Sequence, residues 1–398
     1  MKTLVYATYV SPFPANSGER IRVLNLIAAL RSLGYAIEAF VGNYDGADLS
    51  ALRGDGLNFR QIPFAWPRLR QATGLYFRPD AEFVRQIASL HHRNPLAAVV
   101  LDYGFIGAQI GPITRLGIPV VLGTHNVESA LTGQAPKCSA AARMAIRVRQ
   151  AVEWTHERLF FSRADAVICV SEEDRRVYET FVPADRLHVI PNFVDIPDRF
   201  GTGSRTDRII MSGSFSNFQN REGLKWFADH VWDEELRATS QFYAVGKRSD
   251  DAVRALKNAE GMTGLGARDD LLAEIGASRC AIVPLLHGGG TRVKCLEAMA
   301  ARTPVVTTSK GCEGIAHEGA FWVADSPAAF KNAILEVLSD ANRAQARAAE
   351  ARKIFDRIYS LPANVAGLGH VLASATQVRS GRLPGRGYRL GQRTSNTA

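Results

Sequence analysis

The 398-residue chain has no apolar run approaching the roughly 18–20 residues a membrane-spanning helix requires, so no span is expected. Cysteine is scarce. The five (Cys138, Cys169, Cys280, Cys295 and Cys312) are odd in number, scattered and never at C-x-x-C spacing. That pattern argues against a disulfide framework or a zinc site and fits a reducing, cytoplasmic compartment. A secretory leader is not expected either. Lys2 precedes the short apolar stretch Leu4-Val5-Tyr6-Ala7, but Pro12, Pro14 and Gly18 follow without a small-residue cleavage pattern. The segment reads as a first buried strand with its loop. Residues 379–398 contain no acid and almost nothing apolar, only Arg379, Arg382, Arg386, Arg389 and Arg393 among Gly, Ser and Thr. A segment with so little to bury is expected to be disordered. It lacks interleaved aromatics and no recognition motif accompanies it, which argues against nucleic acid as a partner. What remains is a solubilising tail or adsorption to an anionic membrane surface.

What is present is an ordinary globular composition, 46% apolar and 22% charged, in a chain long enough for two cores. The net charge of +9 is uneven, with +3 in residues 1–195, +5 in 379–398 and +1 between them. A second basic stretch, 137–163, has six basic and two acidic residues interleaved with Ile146, Val148, Val152, Trp154, Leu159, Phe160 and Phe161. Its default reading is a packed helix. Its alternative is a face turned to a membrane or a lipid acceptor.

Short β-branched runs alternate with helix-period segments. Strands are expected at 3–10, 37–41, 97–102, 120–124, 166–170 and 188–190, then at 208–211, 241–245, 280–284, 304–308 and 321–323. Helices are expected between them, including 21–34, 81–92, 140–161, 172–181, 222–230, 292–301, 328–338 and 342–359. This alternation implies parallel sheets of βαβ units, built twice. Pro191–Asp198 and the Gly/Thr/Ser/Arg stretch at 201–206 mark the break. The expected organisation is a first domain at 1–195, a second at 196–341, a helical segment at 342–378 packing near or back onto the first domain, and the tail at 379–398.

In open parallel sheets, ligands bind beyond the carboxyl ends of the strands. Residues 287–314 are the most informative such place: His287-Gly288-Gly289-Gly290-Thr291-Arg292-Val293-Lys294 leads into Leu296-Glu297-Ala298-Met299-Ala300 and then Pro304. Glycines let a ligand approach the backbone, and the helix start offers N–H groups and partial positive charge to an anion. Arg292 and Lys294 add full charge, or are a solvated helix face. Glu297 can accept hydrogen bonds from a diol, or pair with Lys294 at i, i+3. A phosphate site with a diol acceptor suits a nucleotide sugar. Other strand ends stand out: Gly18 between Ser17 and Glu19, Thr124-His125-Asn126-Val127-Glu128, Ser171, Gly213-Ser214 and Glu313-Gly314. His125 should point into a cleft, with Glu128 three residues on to orient or assist it. Gly18 is a turn glycine or a close backbone approach to a ligand. Ser171 is a helix cap or a site residue. Glu313 is a candidate to face the ligand.

The chain resembles a retaining glycosyltransferase of family four. The resemblance is carried by Pro12–Arg20 with its helix to Leu33-Gly34, Gly123–Ser129, Ser162–Ser171, Val189–Asn192, Phe215–Phe227 and the glycine-rich segment, spanning about residues 4–340. It implies an α/β fold of the GT-B kind, two facing Rossmann-like domains with a cleft between them. It further implies transfer of a sugar from a nucleoside-diphosphate donor, with retention and with neither metal nor other cofactor. The donor would lie mainly on the second domain and a glycan or lipid-linked acceptor on the first, in cell-surface polysaccharide synthesis at the inner face of the membrane. Donor-binding positions would be Gly18, Arg221, Leu265, Gly288, Gly289, Gly290, Thr291, Arg292, Lys294, Glu297 and Glu313, with Leu265 in the base-contacting segment. His125 would hydrogen-bond the transferred sugar or stabilise developing positive charge. Three positions depart from the family pattern. Gly289 replaces the first of two glutamates, Ser214 the arginine after the second domain's first glycine, and Arg302 the glycine that ends the helix before Pro304. Two alternatives share the architecture: a nucleotide-sugar epimerase, which needs a paired acid and base, and a catalytically silent nucleotide-sugar-binding subunit.

Overall fold

Successive residues of β1 (Lys2–Thr8) face opposite sides, as strand geometry requires. Val5 and Ala7 join one buried cluster, Leu4 and Tyr6 another. Helices cover both faces, so the strand reads as an almost unbroken apolar run. The same logic repeats through this computed structural model, which describes residues 1–13, 18–42, 57–62, 77–132, 140–196, 198, 205–287 and 292–382.

The first sheet holds β1, β2 (Tyr35–Val41), β3 (Leu57–Gln61), β4 (Leu96–Asp102), β5 (Val120–Gly123), β6 (Ala166–Cys169) and β7 (Leu187–Val189). They lie in the order β3-β2-β1-β4-β5-β6-β7, all parallel. The second holds β8 (Thr206–Ser212), β9 (Gln241–Val245), β10 (Met262–Gly264), β11 (Ser278–Val283), β12 (Val305–Thr307) and β13 (Trp322–Val323), in the order β10-β9-β8-β11-β12-β13 and also parallel. Both are Rossmann-like, and the two-domain arrangement is GT-B. Strand order reverses between β1 and β4, and again between β8 and β11. Those switch points are where such sheets open a ligand crevice. Two strands escaped the sequence pattern, β3 and β10. Both are sheet edges with one partner each, short and weakly apolar.

The loops after β8 and β9 touch. Gly246 has φ +126°, and a Cβ there would sit 2.1 Å from the Gly213 carbonyl oxygen, so only glycine fits. Arg302 ends the Val293–Ala300 helix with φ +54°, the left-handed geometry that favours glycine.

The chain crosses between the sheets twice. Val194 on the first crossing donates its N–H to Tyr359 O at 3.0 Å and pairs with Ser360 on the second. Asn25, from the Gly18–Ser32 helix, donates to Phe193 O at 2.7 Å, tying the first domain to the crossover. The last helix, Leu361–Arg382, then packs on the first sheet. Its Leu368, Val371, Leu372 and Ala375, at helical spacing, share a core with Leu26, Ile27 and Leu30.

This moves the expected start of the tail: the helix runs on through residues 379–382. Arg379 and Arg382 complete the helix and meet Asp165, and Arg379 is buried. Counting apolar residues in the tail alone missed a charge partner far away in sequence. Residues 383–398, with Arg386, Arg389 and Arg393, lie outside the described residues, as does Cys138.

Candidate active site

The first half of the site gathers at the carboxyl ends of β1, β4 and β5. Asp102 ends β4 with no exposed surface. It accepts from the Tyr6 hydroxyl at 2.7 Å, and its Oδ2 lies 3.1 Å from His125 Nε2. A carboxylate only accepts, so His125 carries its proton on Nε2. Arg22 Nε faces Asp102 Oδ1 at 3.8 Å, a charge contact in which neither atom makes a hydrogen bond of its own. The same guanidinium donates to Asn192 Oδ1 at 2.5 Å, which ties the crossover to this network. Burial alone would raise the Asp102 pKa, but His125, Arg22 and the Tyr6 hydroxyl outweigh it and hold the group at about 2. The Tyr103 ring lies against His125, centroids 4.3 Å apart.

Glu128 opens the Glu128–Thr132 helix, three residues from His125, in a cluster of acids. Glu157 accepts the Glu128 N–H at 2.9 Å and the Ser129 hydroxyl at 2.6 Å, and Glu153 lies buried close by. Burial, then Glu153 and Glu157, push the Glu128 pKa up to about 8. At neutral pH this side chain is therefore mostly a hydrogen-bond donor rather than a base.

The second half gathers at the carboxyl ends of β8 and β11. Glu297, one turn into the Val293–Ala300 helix, lies within reach of Ser212, the last residue of β8. Lys294 Nζ donates to Asn220 Oδ1 at 2.5 Å, and Asn220 Nδ2 donates to Ser214 O at 2.8 Å. The ammonium thereby lies beside the Gly213-Ser214 turn. Burial drives these two pKa values toward each other, Glu297 up to about 7 and Lys294 down to about 8. Arg292 is mostly buried, 3.9 Å from Glu313, which also pairs with Lys310 at 2.7 Å. His287, leading into the glycine loop, lies 3.5 Å from Glu222. Gly288, Gly289, Gly290 and Thr291 lie outside the described residues.

Residues 17–197 match the sequence profile described as Glycosyltransferase Family 4, and residues 206–340 match that described as Glycosyl transferases group 1. This chain belongs to the family-four glycosyltransferases. Solved structures share the fold of this transferase. Sucrose-phosphate synthase from Thermosynechococcus elongatus aligns over 94% of this chain and 98% of its own, with 18% identity and a TM-score of 0.71. HepE of Anabaena, solved with UDP, aligns over 94% and 100%, with 15% identity and a TM-score of 0.66. WaaG, a glycosyltransferase involved in lipopolysaccharide biosynthesis, aligns over 92% and 99%, with 16% identity and a TM-score of 0.65. No curated protein sequence matches significantly.

The transferase groups Lys294 and Glu297 with Ser212 and Asn220, and pairs Arg292 with Glu313. Arg221 is turned to its own loop, donating to Phe215 O at 2.8 Å and Ser216 O at 2.7 Å, so it braces the loop between β8 and the next helix. Leu265 packs against the second core, and its N–H bonds Ala244 O at 2.9 Å. Ser171 caps its helix by accepting from Asp174 N–H. Gly18 is the first residue of its helix. Sequence reasoning missed Asp102, Tyr6, Arg22 and Asn220. An acid directly after Val99-Val100-Leu101 was a usable signal for Asp102. Nothing local marks the others.

Proposed function

We propose that this glycosyltransferase moves a sugar from a nucleoside diphosphate donor on the second domain to a glycan or lipid-linked acceptor on the first, with retention and without a metal. The observation that carries the donor assignment is the Ser212–Glu297 and Lys294–Asn220 arrangement at the β8/β11 switch point. The solution of HepE with UDP and with UDP-glucose supports the donor class.

Glu297 would accept the ribose hydroxyls, each charge-assisted bond worth roughly 1.5–3 kcal/mol. Lys294, Arg292 and the N–H groups at the start of their helix would carry the charge left on the diphosphate when the anomeric carbon–oxygen bond breaks. Lys294, beside Gly213-Ser214, would do what the family's arginine does at Ser214. His125, held through Nε2 by a buried carboxylate, leaves Nδ1 for the sugar and suits positive charge developing at the anomeric carbon. The acceptor oxygen would attack from the face the diphosphate leaves. Its proton passes to the departing phosphate oxygen, so no side-chain base is needed and configuration is retained.

The cell-surface role has support from the likeness to WaaG. It also has support from the Ala140–Phe160 helix, which exposes Met144, Val148, Trp154 and Leu159, with Arg158 over the Trp154 ring. Such a face suits adsorption to anionic lipid. No helix among the described residues is long and apolar enough to cross a membrane.

The test is incubation with a panel of nucleotide sugars and an acceptor extract. Release of free nucleoside diphosphate with a new glycoside of unchanged anomeric configuration, in the presence of a chelator, is the expected result. An epimerised nucleotide sugar, or tight binding without turnover, would overturn it.

A further inference from the structure

Two tyrosines stand at the first sheet's switch point. Tyr9 follows β1 and Tyr103 follows β4, their ring centroids 4.3 Å apart and nearly perpendicular. Phe105 stacks on Tyr103 at 5.6 Å, and Tyr103 also meets His125. Tyr103 holds this place at φ +114°, a conformation that a bulky residue adopts only under constraint and that tends to mark working sites. Tyr103 is buried, whereas Tyr9 and Phe105 keep part of their surface accessible. Two acidic residues lie near the cluster. Glu19 is exposed and Glu128 partly buried, and both are near enough to bear on the two tyrosine hydroxyls. The arginines of the adjacent helix are engaged elsewhere: Arg20 donates to Phe13 O at 2.7 Å and Arg22 is buried on Asp102 and Asn192.

We infer that this aromatic shelf is the acceptor subsite and that it takes an uncharged sugar ring in preference to a phosphorylated one. The inference rests on the transferase reading above. The C–H face of a pyranose is apolar and carries slight positive charge, which suits the negative face of an aromatic ring. The exposed Glu19 carboxylate can accept hydrogen bonds from sugar hydroxyls and repels a phosphate, while Glu128, mostly protonated at neutral pH, can donate one. The cations that suit phosphate, Arg292 and Lys294, stand on the donor domain.

The experiment compares methyl hexosides with the matching hexose 6-phosphates as acceptors, following both nucleoside diphosphate release and product sugar. The methyl glycosides should have kcat/KM about tenfold higher or more. Tyr9→Ala should raise the acceptor KM about tenfold with kcat much less affected, while Tyr9→Phe, which keeps the ring, should stay within about twofold of wild type. Glu19→Gln, at an exposed position where folding is not at stake, should narrow the preference against phosphate. Preference for the phosphorylated acceptor, or an unchanged KM in Tyr9→Ala, would overturn the inference alone. No nucleoside diphosphate release with any donor would overturn the transferase reading and the inference with it.

Discussion

Arg379 and Asp165, far apart in the chain, form a buried fork-to-fork ion pair, Nη2 to Oδ1 at 2.7 Å and Nε to Oδ2 at 3.0 Å. The pair fastens the end of the last helix to the start of β6, and Asp165 Oδ2 also accepts the Val120 N–H at 2.9 Å. A planar guanidinium is suited to this two-point contact. Arg379→Ala leaves buried Asp165 with only the longer contact to the more exposed Arg382, 3.2 Å, so it should cost about 3 kcal/mol in denaturant unfolding. Ending the chain after Val378 removes Arg382 as well and should cost more, about 3–5 kcal/mol. Unchanged stability in either variant would mean that the helix end is not held by this pair.

Asp102→Asn should separate turnover from donor binding. The substitution keeps the shape but removes the charge behind His125. Losing one charge-assisted bond of about 1.5–3 kcal/mol predicts a fall of roughly 10–100-fold in kcat. Donor affinity should change little, because Glu297 and Lys294 lie on the other domain. Calorimetry of donor binding beside steady-state rates checks this.

Nucleotide-sugar affinity should peak between pH 7 and 8. Glu297 titrates at about 7, and below that it protonates and accepts poorly from a diol. Lys294 titrates at about 8, and above that it loses the charge that faces the diphosphate. The ligand-free protein carries the matching stability terms. The raised Glu297 pKa removes stability as pH rises through 7, and the depressed Lys294 pKa removes it as pH falls through 8. Donor-induced stabilisation, read as a Tm shift, should therefore be largest in that window. A flat profile from pH 5.5 to 9.5 would contradict both assignments.

Arg302 occupies a left-handed position while pairing with Asp198 at 2.5 Å. Arg302→Gly relieves the backbone, whereas Arg302→Ala loses the same ion pair and keeps the strain. The glycine variant should exceed the alanine variant by about 1 kcal/mol in unfolding free energy. Equal stabilities would place the strain elsewhere.

The two-sheet plan was legible because buried parallel strands are apolar runs, and eleven of the thirteen strands carry that mark. β3 and β10, at sheet edges, do not. The proposed donor residues were legible because cation and acid, Arg292, Lys294 and Glu297, sit within one short segment that one helix presents together. The acceptor side was not. Tyr6, Arg22 and Asp102 belong to a strand, a helix and another strand, and only folding brings them onto one carboxylate. Arg379 was misread for the same reason. Its charge pointed to solvent as long as Asp165 was out of view, and the apolar face at Leu368, Val371, Leu372 and Ala375 carries the helix on to that contact.

Calorimetric titration of the full chain and of Glu297→Ala with a nucleoside diphosphate tests the central claim most directly. The wild type should bind at a single site. Loss of the ribose acceptor should weaken binding by about tenfold or more, while the variant's Tm stays close to wild type. Equal affinity in the two proteins would contradict the claim that the β8/β11 crevice holds the donor through Glu297.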